Sequence, residues 1–354
     1  MKIKKLLLIL SISLSSSSCR NETNQITNAN TSMRTDLDKN ALSDFKLPRL
    51  ASNFPEYIKN LQRFAKENGI KPKTIDEAFA DVYYLERAIA ADKNQPEKKL
   101  NLTQYLAIVA SPHQLALAKK KMDEYRLQAN VAANSTNVSA EYIIALWGIE
   151  SRYGMNQGKK DVISALSTLA FEGRREMFFS KELIQALKIL ERGDITKEKF
   201  KGSWAGAMGQ CQFMPSSLLA YGKDGDGDGK VDIWNNVDDV FASIGNYLAR
   251  NGWNKNINYW GNKVVLPDNF NTTLIGFNRN QSKSIADWQQ LKIEFDDLKT
   301  KPANNTLAWL IQPNESKKTE RYLVYSNFKT IMNWNRSYFF AISVGTIADS
   351  LMEK

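Results

Sequence analysis

Histidine and cysteine are nearly missing from this chain of 354 residues, which contains one histidine and two cysteines. A zinc-protease HExxH helix needs two histidines, and a Ser-His-Asp triad would have to recruit His113 from the loop-like Ser111-Pro112-His113. Hydrolysis through zinc or an activated serine is thereby disfavoured, and carboxylate chemistry becomes the default. Long apolar runs are also lacking: nothing after the N-terminal segment is long enough to cross a bilayer as a helix. The net charge of +10 comes from lysines scattered along the chain, with no arginine-rich block and no aromatic RNP-like motif, so no nucleic-acid partner is expected. No internal repeat and no organic-cofactor motif is present. Outside the cytoplasm, such a basic chain favours anionic envelope polymers.

What is present is a globular composition, 43% hydrophobic and 24% charged, on a chain long enough for one large or two ordinary domains. Residues 1–19 begin with Lys2, Lys4 and Lys5, continue through an apolar run over 6–14 and end in Ser15-Ser16-Ser17-Ser18-Cys19, the pattern of a secretory signal. A cysteine directly after small residues resembles a bacterial lipobox, with Cys19 carrying the lipid and anchoring the chain to the outer membrane from its periplasmic side. Ser16 stands where the lipobox has a large aliphatic residue, and plain secretion is the alternative. With Cys19 lipidated, Cys211 is the only remaining thiol, so no intramolecular disulfide can form. Residues 20–52, rich in Asn, Ser, Thr, Asp and Lys, read as a disordered tether.

Helical patterning then dominates. In 55–65, Tyr57, Ile58, Leu61, Phe64 and Ala65 share one face, and Gly69 stops the helix. Thr74-Ile75-Asp76-Glu77 reads as a capping box, 102–125 as helix broken at Pro112, and 134–139 as a polar turn ending in Ser139, a good N-cap. Further helices are expected over 162–171, 180–192 (closed by Gly193), 237–250 and 328–351. Between 257 and 324, Lys263-Val264-Val265-Leu266, Thr272-Thr273-Leu274-Ile275 and Tyr322-Leu323-Val324-Tyr325 are short β-like runs. The expected domains are an N-terminal helical region over 53–139, a core over 140–256, a small mixed subdomain over 257–327 and a C-terminal helix over 328–354.

Three stretches carry chemistry. In Tyr142-Ile143-Ile144-Ala145-Leu146-Trp147-Gly148-Ile149-Glu150-Ser151-Arg152-Tyr153-Gly154, apolar residues cover most of a helix that Gly154 is placed to cap. Glu150 sits inside that run, and a carboxylate drawn out of water holds its proton more tightly, as a general acid must. The plainer reading is an ion pair with Arg152 at the rim of the core. The second stretch, 202–217, has glycine at 202, 206 and 209 with Ser203, Gln210 and Gln212 interleaved, which suits a sugar-binding wall or a close helix contact.

The third runs from Asp224 to Asn235 and places Asp224, Asp226, Asp228 and Asp232 at the first, third, fifth and ninth positions of an EF-hand-like calcium loop. Gly229 occupies the sixth position, the Lys230 carbonyl the seventh, and Asn235 stands at the twelfth where a bidentate Glu is usual, so a structural Ca²⁺ of modest affinity is expected. A solvated acidic turn is the alternative.

Trp147-Gly148-Ile149-Glu150-Ser151-Arg152-Tyr153-Gly154, the segment 165–175, the Ala-Gly-Ala-Met-Gly…Gln-Phe-Met-Pro-Ser-Ser run and the aspartate loop occur in an order that resembles the membrane-bound lytic murein transglycosylase B family. The likeness is strongest over 140–255 and extends to about 345. It implies a mainly α fold, a lysozyme-like helical core with a small mixed α/β insertion. It also implies non-hydrolytic cleavage of the β-1,4 bond between N-acetylmuramic acid and N-acetylglucosamine in peptidoglycan strands, leaving 1,6-anhydro ends. On that resemblance Glu150 is the single catalytic acid and base, while Glu172, followed by Arg174 and Arg175, is structural. Ser203, Gln210, Gln212, Tyr247 and Asn335 contact glycan or position the acid, although Tyr247 also fits a core role. Trp334 and Phe340 stand where the family carries tyrosines, so sugar stacking can survive there but phenolic hydrogen bonds cannot. A monomer is expected. A hydrolytic muramidase and a non-catalytic envelope glycan-binding protein are the alternatives.

Overall fold

The computed structural model of the chain describes residue 42 and residues 45–93, 100–296, 302–314 and 320–353. The expected signal segment with Cys19, and the tether up to residue 41, lie outside the described residues. In chain order come helices α1 (Phe54–Glu67), α2 (Pro72–Phe79), α3 (Glu86–Lys93), α4 (Leu102–Val109), α5 (Pro112–Glu124), α6 (Arg126–Thr136) and α7 (Ala140–Ser151). Strand β1 (Lys160–Asp161) precedes α8 (Val162–Glu172) and α9 (Glu176–Arg192), and β2 (Lys201–Gly202) precedes α10 (Pro215–Tyr221) and α11 (Val237–Arg250). Then follow β3 (Gly261–Val265), β4 (Lys283–Ser284), α12 (Ile285–Gln290), β5 (Glu294–Phe295), β6 (Leu307–Ile311), β7 (Arg321–Val324), α13 (Ser326–Trp334) and α14 (Tyr338–Met352). No helix among the described residues is long and apolar enough to cross a membrane.

The chain divides into two compact units, each assembled from two separate stretches. In the first, residues 45–93 and 154–236, α8 and α9 form the central helix pair. Helix α8 buries Val162 through Phe171 without a break, because its sequence is apolar or small on every side. Helix α1 covers it with Tyr57, Leu61, Phe64 and Ala65, the face expected from the sequence. Residues 45–52, expected as tether, belong to this unit: Arg49 lies over the rings of Phe45, Tyr57 and Phe171 and pairs with Glu176 at 2.7 Å. The cation is held by ring faces and a carboxylate together. Arg174 binds both Glu172 and Asp92, and Arg175 adds a second bond to Asp92, so Glu172 has a structural role.

The second unit comprises residues 100–153 and 237–353. Its centre is α7, where nine of the twelve residues are buried, and α5, α6, α11 and α14 pack around it. The mixed segment forms an antiparallel sheet in the order β4-β6-β7-β3-β5. Trp288 and Ile285 of α12 pack on the sheet's Val264, Leu310 and Leu323, giving the insertion its own apolar cluster.

Several local expectations give way to this packing. Helix α2 starts at Pro72, so Thr74 lies inside it and its hydroxyl donates to Glu191 at 3.1 Å in place of forming a capping box. Residues 134–136 are helical and buried on one side, and the turn is a single left-handed residue, Asn137. Ser139 does precede α7, but its side chain makes no cap bond. Residues 272–274 form a 3-10 turn, leaving Ile275 to make one isolated bridge to Leu310. The C-terminal helix is two helices, because Asn335-Arg336-Ser337 is extended and the Ser337 hydroxyl caps α14 by accepting from Phe340 N.

Candidate active site

Glu150 occupies the last turn of α7, half-buried. The helix ends differently from expectation. Arg152, with φ 52°, is the left-handed cap, followed by Tyr153 at φ 60° and Gly154 at φ 81°. Arg152 N bonds Gly148 O at 3.0 Å and Tyr153 N bonds Trp147 O at 3.3 Å, so the last carbonyls are satisfied as the chain reverses. The reversal lays the Tyr153 ring on Gly148, where a Cβ would lie 2.5 Å from the ring. Trp147 meets the same ring edge-on at 5.2 Å. The glycine two residues before Glu150 is therefore needed for ring packing, which fixes the backbone that carries the acid.

The C-terminal residue of α13 completes the setting. Trp334 Nε1 donates to Glu150 Oε1 at 2.7 Å. Its ring packs edge-to-face on Tyr247 of α11 at 4.6 Å, and the Tyr247 hydroxyl donates to the Asn333 carbonyl at 2.8 Å. Tyr247 is thus a buried brace for the turn that presents the indole. Trp334, expected as a stacking platform, is in hydrogen-bond contact with the acid itself. Asn335 is 7% exposed and ends α13, and Phe340 is 0% exposed within α14. The stacking expected of Phe340 is corrected by this burial: a ring without exposed area has no face to offer a sugar, because α14 turns it into the core.

In the first unit, 202–214 is a run of tight turns packed on α8, and not one helix against another. Ser203 N bonds Ala207 O at 2.7 Å while Ser203 Oγ accepts from Ala205 N at 3.2 Å and Ala207 N at 3.1 Å, closing a tight turn. Gly206, at φ 83°, lets this turn rest on Leu166, which a Cβ would meet at 2.5 Å. Gln210 is buried and its Nε2 donates to Trp234 O at 3.0 Å. Gln212, left-handed at φ 50° and partly exposed, donates from Nε2 to Gln157 O at 3.2 Å and Gly209 O at 2.8 Å. Gln157, which no sequence signal singled out, in turn donates from Nε2 to Trp234 O at 3.0 Å. The amides that suggested a sugar wall thus lock the loops to one another. Cys211 is buried among them at 0% exposure.

The aspartate loop follows. Asp224 accepts from Gly227 N at 2.6 Å and Gly229 N at 2.8 Å, and these bonds hold its carboxyl below the usual range. Asp226 accepts from Asp228 N at 3.2 Å and Asn236 Nδ2 at 2.8 Å, and Asp228 accepts from Lys230 N at 2.8 Å. Carboxylate oxygens of Asp224 and Asp226 lie within 4.8 Å of each other, hard donors of the kind calcium takes, and Asp228, expected beside them as a ligand, is not gathered with them. The second half of the loop departs from expectation. Asp232 accepts from Trp234 N and Asn235 N, both at 2.9 Å, and Asn235 Nδ2 donates to Asp232 Oδ2 at 3.0 Å. The ninth and twelfth positions are bonded to each other, since an amide at the twelfth brings an N–H in need of an acceptor.

Comparison with known proteins places these motifs. The transglycosylase SLT domain family matches residues 53–349. Membrane-bound lytic murein transglycosylase B of Escherichia coli is 30% identical over 234 residues, 65% of this chain and 61% of that protein, so the match spans about three fifths of that relative's length. SltB3 from Pseudomonas aeruginosa, solved in complex with NAG-anhNAM-pentapeptide, superposes with a TM-score of 0.79 at 35% identity over 85% of this chain and 80% of its own. The Escherichia coli lytic transglycosylase SLT35 in complex with calcium gives 0.71 at 25% identity over 85% and 92%.

Proposed function

The chain belongs to the transglycosylase SLT domain family, and from that premise we propose that it is a peptidoglycan lytic transglycosylase in which Glu150 is both acid and base. The carrying observation is the half-buried Glu150 carboxyl held by the Trp334 indole at 2.7 Å. In the reaction Glu150 gives its proton to the glycosidic oxygen, the bond from that oxygen to C1 of the muramic residue breaks, and N-acetylglucosamine leaves with a free 4-hydroxyl. The carboxylate so formed takes the proton of the muramic C6 hydroxyl as its oxygen closes on C1. Atoms balance without water, and Glu150 returns protonated. Ordinary glycosidases need a second carboxylate. Here Glu172, the other glutamate of the recognised motifs, is held by Arg174, consistent with a one-carboxylate mechanism.

In this reading Ser203 and Gln212 of the first unit contact glycan, with the buried Gln210 supporting them, while in the second unit the buried Tyr247 positions the acid through Trp334 and Asn335 ends the same helix. The loop over 224–235 would hold a structural Ca²⁺ through Asp224, Asp226, Asp228 and the Lys230 carbonyl, supplying charge neutralisation and no chemistry. The chain would work in the periplasm, tethered to the outer membrane through Cys19.

The test is Glu150→Gln, which keeps shape and removes the proton. Release of muropeptides from purified sacculi, followed by mass spectrometry, should fall by about a thousandfold with little change in melting temperature. Wild-type products ending in reducing muramic acid would make the enzyme a hydrolytic muramidase, and undiminished anhydro-product from Glu150→Gln would remove the acid assignment.

A further inference from the structure

A cavity of about 490 Å³ lies in the first unit between the loop 154–159, the segment 195–201 and the end of the aspartate loop. We propose that it binds the carboxylate-bearing peptide stem of peptidoglycan, with Lys159 and Lys199 supplying the positive charge. The inference rests on the reaction proposed above, since it names a further part of the same substrate.

Three lysines, Lys159, Lys199 and Lys201, line this one space. Asp161, 2% exposed, shares Lys197 at 2.8 Å with Asp81, which holds the same ammonium at 2.7 Å, and Lys201 at 3.5 Å supplies the second cation for this pair of acids. The local acids are therefore neutralised within the wall. Lys159 and Lys199 are exposed, and among the described residues neither has an ion-pair partner. Glu198 is the neighbouring acid in sequence, and it does not line the cavity. The balance inside the cavity is positive, and carboxylates are the complementary ligand.

The rest of the lining fits a peptide better than a free inorganic anion. Asn156 brings an amide group able to bond main-chain N–H and C=O, the Nε2 of Gln157 and the Nδ2 of Asn235 being used within the wall, and Met155, 68% exposed, gives an apolar rim for aliphatic side chains. A stem of alternating small side chains and carboxylates needs that mixture. The cavity is also built into the candidate glycan wall: Gln157 O accepts from Gln212 Nε2 at 3.2 Å, so the two loops form one hydrogen-bonded piece. A muramic residue bound for cleavage carries its stem on the lactyl group, and the stem needs a place beside the glycan.

The experiment compares stem-bearing glycan strands with strands stripped by an amidase. In the Lys159→Gln/Lys199→Gln double variant the ratio of kcat/KM on stem-bearing to stripped strands should fall about tenfold, through KM. Lys159→Arg/Lys199→Arg should keep the wild-type ratio, because charge and not shape carries the contact. An unchanged ratio in the glutamine variant overturns the proposal. If the wild type cleaves neither substrate, the reaction reading fails. The pocket is then judged by calorimetry with a free stem tetrapeptide, where binding lost in the glutamine variant supports it and absence of binding to the wild type overturns it.

Discussion

The indole N–H of Trp334 donates to Oε1 of Glu150 at 2.7 Å, and the same ring leans edge-on against Tyr247. An indole is a donor only, so it fixes Oε1 as the accepting oxygen and orients the carboxyl for the two roles proposed for it. Trp334→Phe keeps a ring against Tyr247 and deletes the bond. The expected result is a loss of about tenfold in kcat with little change in KM, and a stability loss of about 1 kcal/mol, read from initial rates and thermal melts. A rise in KM at constant kcat would instead return Trp334 to the sugar-stacking role suggested by its sequence position.

The aspartate loop reaches the wall through Trp234, whose carbonyl accepts from both Gln157 and Gln210 at 3.0 Å. Carboxylates at 224, 226 and 228 repel one another without a cation, so binding stabilises the folded form by mass action, about 2.7 kcal/mol at a hundredfold excess over Kd. Chelation should lower the melting temperature, calcium should restore it, and magnesium should restore less because it holds its water more tightly. Asp226→Asn should blunt the calcium response. A melt indifferent to chelator and calcium would leave the loop as an acidic turn.

Glu182, on α9, is buried, and its two oxygens accept from Ser216 N at 2.9 Å and Ser216 Oγ at 2.6 Å. Burial pushes its carboxyl above the ordinary 4.5, with the Ser216 bonds opposing. An acid that binds its proton more tightly when folded contributes stability that is complete below its unfolded value. That contribution is lost as pH rises through the folded one. Glu182→Gln cannot ionise, and its amide can donate to Ser216 Oγ while its oxygen accepts from Ser216 N. Its melting temperature should therefore gain on wild type as pH rises above about 4.5 and converge below it. A gap constant with pH would mean that Glu182 does not titrate differently on folding.

Much of this was legible in the residues. The burial of α7 followed from its unbroken apolar surface and the bounds of α11 from its period. Sequence placed Gly154 as the helix cap, whereas a left-handed Arg152 does that work because the Tyr153 ring folds onto Gly148. The reason Gly148 is a glycine could not be read from helix periodicity, since it depends on a ring five residues later. Phe340 reads as a stacking residue by position and is core by burial, because the break at 335–337 resets the face that α14 buries.

The sequence by itself determined the helical character and the family, and it singled out Glu150 as the acid proposed here, because these rest on local periodicity and on motifs contiguous in the chain. Only the tertiary structure decided the acid's partner, since Trp334 lies 184 positions from Glu150. It also decided that Gln157 and Gln210 converge on one carbonyl, and that three lysines line one cavity. Distances across such separations are set by how the elements pack, and packing is not written in any single stretch.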